Sequence, residues 1–217
     1  HPTPAPPARG MAVKPIPWLQ ALSHNSRYHG GDAPPPPADD VLIVDCTDPA
    51  PDRPRIITHH KGQNVPAEIM ADTSSGSVLN AVLFDEGRGH PVLRGCGAVT
   101  TNHFDIDSFV AVWVASHPAE AVVHEQLLRR VAHVGDFREL GSLEQEAEHR
   151  ALAVCCWLNT QERERFTRPF EEEEEQTAPA NKADGTLAKF AFFLPRFGAV
   201  LDDPERVRGE WQGMDVR

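Results

Sequence analysis

The segment Asn102-His103-Phe104-Asp105-Ile106-Asp107-Ser108 gathers an imidazole and two carboxylates at a spacing of two residues. At the end of an extended strand, that spacing projects His103, Asp105 and Asp107 to one side. Imidazole nitrogen and carboxylate oxygen together suit divalent manganese, iron or zinc, and two carboxylates also suit magnesium. A metal held there would lower the pKa of a bound water and clamp a phosphoryl oxygen. The same residues allow a structural reading, in which Asp107 or Ser108 caps the following helix and Asp105 is solvated.

Other polar residues are candidates for the same site. His59 sits at the end of a short apolar run and is a ligand candidate; His60, next to it, would face the opposite way in a strand. Asp72 is either a ligand or the N-cap of the helix that follows. Asp136 comes at the end of a helical pattern, where the macrodipole disfavours an acid, so it needs a partner: a metal, or Arg130 or Arg138 in an ion pair. His133, three residues earlier, can face the same way and is the one candidate for a catalytic acid or base.

Several other chemistries lack support. Residues 41–47 (VLIVDCT) are superficially similar to the aspartyl-phosphate phosphatases, but the second acid expected two residues after Asp45 is Thr47, so Asp45 reads as a turn residue. The chain has no G-x-S-x-G, no phosphate-binding Gly-rich Lys loop and no G-x-G-x-x-G. Cys46, Cys96, Cys155 and Cys156 form no C-x-x-C pair, which points to a reducing compartment without structural zinc.

These residues must be positioned by the surrounding elements. Residues 41–44 (VLIV) form a continuous apolar run expected to be a buried strand, with a second short strand at 55–58 (RIIT) and a third at 95–101 (GCGAVTT). Helices are expected over 78–84 behind Asp72-Thr73-Ser74, over 109–116, over 118–134 with Gly135 closing it, over 143–158 behind a Ser142/Gln145 capping box, and over 187–201 with a break at Pro195. Strands alternating with helices imply an α/β fold, with a parallel or mixed sheet flanked by helices. Ligands in such sheets gather beyond the carboxyl ends of the strands. Asp45-Cys46-Thr47-Asp48, His59-His60 and residues 102–107 all fall there.

Fourteen of the 20 prolines lie in the first 66 residues, so residues 1–38 are expected to be a disordered Pro-rich tail. Residues 39–217 are expected to form a single α/β domain with an acidic linker at 171–185, compatible with truncation at the C-terminus. A formal charge of −11 without a basic cluster argues against duplex nucleic acid, and no apolar stretch is long enough for a membrane helix. Because Glu171 to Glu175 hold five of the negative charges, a small phosphorylated substrate stays compatible with the rest. The expected location is cytoplasmic, with organelle import as the alternative because no acidic residue precedes Asp32.

The pattern H-x-D-x-D-S, after a small-residue strand and before an apolar helix, resembles the first motif of the DHH-type phosphoesterases over about residues 96–116. That resemblance implies a DHH-phosphoesterase-like fold and manganese-ligand roles for His103, Asp105 and Asp107. The family's D-H-H tripeptide does not follow Ser108; the paired His59-His60 instead precede the motif, so either the order is rearranged or the relation is distant. A longer likeness runs through Ile57-Thr58-His59, Asp72-Thr73-Ser74, Val99-Thr100-Thr101-Asn102-His103-Phe104-Asp105-Ile106-Asp107 and Ala132-His133-Val134-Gly135-Asp136-Phe137. These motifs resemble a family of uncharacterised proteins from plants and bacteria, roughly from Val41 to Trp211. The function expected is divalent-metal-dependent hydrolysis of a phosphoester or phosphoanhydride bond. Its metal ligands are His59, Asp72, His103, Asp105, Asp107 and Asp136; manganese is the expected ion, with magnesium and zinc compatible. The alternative is a non-catalytic domain that keeps the fold and binds a ligand or partner.

Overall fold

The computed structural model describes residues 14–15, 41–46, 55–166, 179–205 and 207. Four parallel strands, β1 (Lys14–Pro15), β2 (Val41–Val44), β3 (Ile56–Ile57) and β4 (Ala98–Thr100), form one sheet in the order β1-β4-β2-β3. β2 is central because Val-Leu-Ile-Val is apolar on both faces and largely β-branched, which suits a strand covered on both sides. All four of its side chains are buried, each contributing about 1.5–3 kcal/mol of transfer free energy. Of residues 1–38, only Lys14–Pro15 are described, and they pair with Ala98 and Val99 of β4.

The helices among the described residues are α1 (Ser74–Gly87), α2 (Ile106–Ser116), α3 (Pro118–Val123), α4 (Glu125–Phe137), α5 (Glu146–Phe166) and α6 (Pro179–Asp202). The molecule is therefore helix-rich around a small parallel sheet, broadly α/β as expected. α2 is apolar nearly all round and entirely buried, packed against α1 and α4. Its Phe109 and Trp113 meet Phe193 and Phe197 of α6, and Trp157 of α5 closes on Phe193. At its start, α2 crosses α4 so closely that a Cβ on Gly135 would fall within the Ile106 side chain. Among the described residues, no helix is long and apolar enough to cross a membrane.

Several element boundaries differ from the sequence reading. The expected helix over 118–134 is two helices, because His124 (φ −102, ψ 16) interrupts it. α4 then runs past Gly135 to Phe137 and ends on Arg138 in the left-handed region (φ 60). Ser142 and Gln145 form a backbone turn rather than a capping box, and α5 begins at Glu146. α6 passes through Pro195 unbroken. The lost backbone donor is outweighed by the burial of Phe193, Phe197, Val200 and Leu201. It also starts at Pro179, a residue suited to a first helical turn, so the end of the expected 171–185 linker is helical. Residues 171–178 of that linker lie outside the described residues.

Candidate metal centre

Parallel pairing decides where the polar residues meet. Ile43 pairs with Thr100 on one side and Ile56 on the other, and Val44 pairs with Ile57, so β2, β3 and β4 end at the same edge of the sheet. The chain beyond those ends carries Asp45, then His59-His60, then Asn102-His103. Asp45 is in the left-handed region (φ 51), a conformation an aspartate tolerates better than most residues and one that turns its side chain into the cluster. Its carboxylate is 2% exposed, and its two oxygens face different imidazoles. Oδ1 lies 3.6 Å from His59 Nε2 and 3.7 Å from His60 Nε2, while Oδ2 lies 3.3 Å from His103 Nε2.

Each of these side chains is held from behind. Ser74 Oγ donates to Asp45 Oδ1 at 2.6 Å and accepts from the His59 backbone N–H at 3.0 Å, tying β2, β3 and the start of α1 together. His59 Nδ1 donates to the Asp72 carbonyl at 3.0 Å, which leaves Nε2 as the ligand atom facing Asp45. His103 Nδ1 donates to Asn102 Oδ1 at 2.7 Å, which likewise aims Nε2 at Asp45 and at Asp105 Oδ2, 3.1 Å away. Burial opposes a charged His103, but hydrogen bonds to Asp105 and Asp45 outweigh it, and its pKa is pushed up to about 10. Burial also opposes the Asp105 carboxylate, yet His103 and Ser108 draw its pKa down to about 2. Asp105 and Ser108 also form the reciprocal capping box that starts α2.

Asp107 does not cap the following helix, a role that Asp105 takes; it serves α1 instead. Its oxygens accept from the backbone N–H groups of Ser74 (2.7 Å) and Ser75 (2.9 Å) and from the Ser75 hydroxyl, so it caps the positive end of α1. Its carboxylate also falls in one ligand set with His59 and Asp136. Burial first, and then the charge of Asp45, raise its pKa to about 7 despite those donors. Asp136, brought in by the last turn of α4, has Oδ2 buried with no hydrogen-bond partner and 3.6 Å from His59 Nδ1. Burial raises its pKa, with His59 opposing and Asp45 and Asp105 adding to the rise.

Among the described residues, three sets of side chains are placed so that they could hold a metal ion: Asp45 with His59 and His60, Asp45 with His103 and Asp105, and His59 with Asp107 and Asp136. Within each set the ligand atoms lie within 4.8 Å of one another. Ligands at about 2.0–2.2 Å from an ion stand roughly 3–4 Å apart around it, the range found for Asp45 and its imidazoles. The residues fit a cation on two further counts. Four carboxylates face three imidazoles, and Asp136 Oδ2 is a buried acceptor without a hydrogen bond. Asp45 belongs to two of the sets, with Oδ1 toward His59 and His60 and Oδ2 toward His103, so it would be a ligand to a cation held in either.

Of the expected ligands, His59, His103, Asp105, Asp107 and Asp136 come together. Asp72 does not join through its side chain: that side chain is exposed, Thr73 is the N-cap of α1, and only the Asp72 carbonyl reaches His59. His133 points elsewhere, with Nε2 3.2 Å from Glu139 Oε2, and it belongs to none of the three sets. His60, set aside because neighbours in a strand face opposite ways, does join. β3 ends at Ile57, and the bend that follows turns both rings toward Asp45, their centroids 4.5 Å apart. Asp45 itself, read as a turn residue, is the hub; the signal available was its position at a strand end. Thr47 and Asp48, from the same strand-end cluster, lie outside the described residues.

A family model described as a family of unknown function (DUF6687) matches residues 32–216. The chain belongs to this family. The expected membership in an uncharacterised family holds, while likeness to the DHH phosphoesterases is not among the matches. No curated protein and no solved structure matches the chain. Every metal-ligand candidate brought together here lies within the region that DUF6687 matches.

Proposed function

We propose that this domain is a divalent-metal-dependent hydrolase of phosphoester or phosphoanhydride bonds. The observation that carries the proposal is the division of the buried Asp45 carboxylate between His59 and His60 on one oxygen and His103 on the other. Divalent cations in such a site supply Lewis acidity for activating water and positive charge for a phosphoryl group. The chain's own residues hold the ligand atoms in place: Ser74 fixes Asp45, the Asp72 carbonyl and Asn102 fix the two imidazoles, the capping box with Ser108 fixes Asp105, and the first backbone N–H groups of α1 fix Asp107. A mixed nitrogen and oxygen set suits manganese, iron or zinc, and the likeness to the DHH motif makes manganese the first choice, with magnesium and zinc as alternatives. A distant, rearranged relation to the DHH phosphoesterases is supported by the same cluster. The H-x-D-x-D residues share it with Asp45 and the paired His59-His60, so the residue types of a D-H-H signature are gathered in space, although they are not consecutive and precede the H-x-D-x-D motif along the chain.

A second reading, a ligand-binding domain without turnover, is favoured by the engagement of His133 with Glu139, which leaves the cluster without a dedicated acid or base beside its ligands. Metal content by elemental mass spectrometry, together with manganese-dependent hydrolysis of bis(4-nitrophenyl) phosphate and pyrophosphate, separates the two. The hydrolase should carry near-stoichiometric metal and turn over one of these substrates, and a folded His103→Ala variant should lose both properties. Metal without turnover supports the binding domain. No metal in the wild type, even after manganese is added, refutes the centre.

A further inference from the structure

Phe137 is the last residue of α4, directly after the candidate ligand Asp136, and it is 40% exposed. Its ring stands edge-on to the His59 ring at 6.4 Å and tilts against His133 at 5.0 Å. A large aromatic left partly in water beside a cluster of carboxylates forgoes burial that the apolar core could have given it. An all-inorganic substrate such as pyrophosphate has no surface to offer such a ring, whereas a phosphoester carrying a planar organic group does.

We infer that Phe137 is a substrate-binding platform, and that the substrate is an aromatic phosphoester, with an aryl or nucleobase ring stacked on Phe137 while its phosphoryl group faces the metal cluster. This rests on the proposed hydrolase reading and narrows its substrate class. The four carboxylates of the cluster repel a phosphoryl group unless cations are present, so the phosphate end should bind only with metal, while stacking acts on the ring end. Loss of one base–aromatic stack weakens binding by about 10- to 100-fold.

The test is calorimetric titration of the manganese-loaded protein with adenosine monophosphate and, separately, with inorganic phosphate, in the wild type and in Phe137→Ala, Phe137→Leu and Phe137→Trp. The wild type should bind the nucleotide more tightly than phosphate. The Ala and Leu variants should lose about 10-fold or more for the nucleotide alone, and Trp should retain it. Equal affinity of the wild type for both ligands overturns the platform. Equal losses of nucleotide and phosphate affinity in the variants also overturn it, since they would mean that the ring only supports His59. If the metal-loaded protein binds neither ligand, the phosphoester reading itself fails and the platform with it, an outcome distinguished by the absent phosphate signal.

Discussion

Replacing Ser74 by alanine removes a hydroxyl that does two things at once: it donates to Asp45 Oδ1 at 2.6 Å and accepts from the His59 N–H at 3.0 Å. Both groups are left short of a partner in a place where water has little access, because Ser74 is fully buried and Asp45 nearly so. A hydrogen bond to a charged group contributes about 1.5–3 kcal/mol. For a chain of this size each kcal/mol shifts the melting temperature by about 2–4 °C, so the metal-free variant should melt roughly 3–12 °C lower. The larger effect should be on metal. Ser74 sets the orientation of the one carboxylate that faces both imidazole groups, and loss of such an outer partner weakens metal affinity by about 10- to 100-fold. Ser77→Ala is the control. Ser77 is equally buried, one turn further along α1, and bonded to Ala71 N and Thr73 O rather than to Asp45. It should lose stability while keeping metal affinity. Manganese titration of both variants at a temperature where both are folded decides the matter. Full affinity in Ser74→Ala, or equal weakening in both, would refute the view that Asp45 is the hub of a metal site.

Two further outcomes follow from the same geometry. The metal-free protein should lose stability as pH rises from about 6.5 to 10, because a histidine whose folded pKa is raised contributes fully below its unfolded pKa and ceases to contribute above its folded one. Asp107, raised to about 7, acts in the same direction at lower pH. Metal replaces the His103 proton, so melting curves between pH 6 and 9 should flatten when manganese is present; a metal-free melting temperature that does not fall over this range would contradict the assignment. Gly135→Ala should destabilise the fold by about 1–3 kcal/mol, despite alanine's better helix propensity, because its methyl group meets Ile106 where α4 crosses the start of α2. That crossing sets Asp136 against Asp107, so metal affinity should fall as well, and chemical denaturation with manganese titration checks both.

The sequence carried the strands and the buried helices because their signals are local. Val41–Val44 is apolar on both faces, and α2 is apolar all round, so burial was legible without knowing what lay opposite. The site was only half legible. His103, Asp105 and Asp107 lie within five residues, whereas Asp45 acquires its role only when β2 pairs with β3 and β4 and brings His59, His60 and His103 to its carboxylate. Asp72 was misread because a side chain and a backbone carbonyl cannot be told apart in a sequence; the residue does reach His59, but through its carbonyl. His60 was set aside by strand alternation, which stops applying one residue after β3 ends. The continuity of α6 through Pro195 depends on aromatic packing against α2 and α5, which no local pattern reveals.

A parallel sheet also explains why motif order along the chain is a poor guide to this site. Every parallel strand delivers its carboxyl end to the same edge, so ligands that follow β2, β3 and β4 converge whatever order the strands have in sequence. Neighbours in the sheet here are β4-β2-β3, so the oldest cue for relatedness, consecutive motifs, is decoupled from spatial adjacency. What the site requires is narrower: an Asp at the end of the central strand, imidazoles at the ends of both neighbours, and a helix N-terminus whose serine fixes that Asp. Asp45, His59-His60, His103 and Ser74 meet those requirements with distances of 2.6–3.7 Å. A chain with its strands connected in another order could therefore build the same centre, provided that each ligand followed the same strand position.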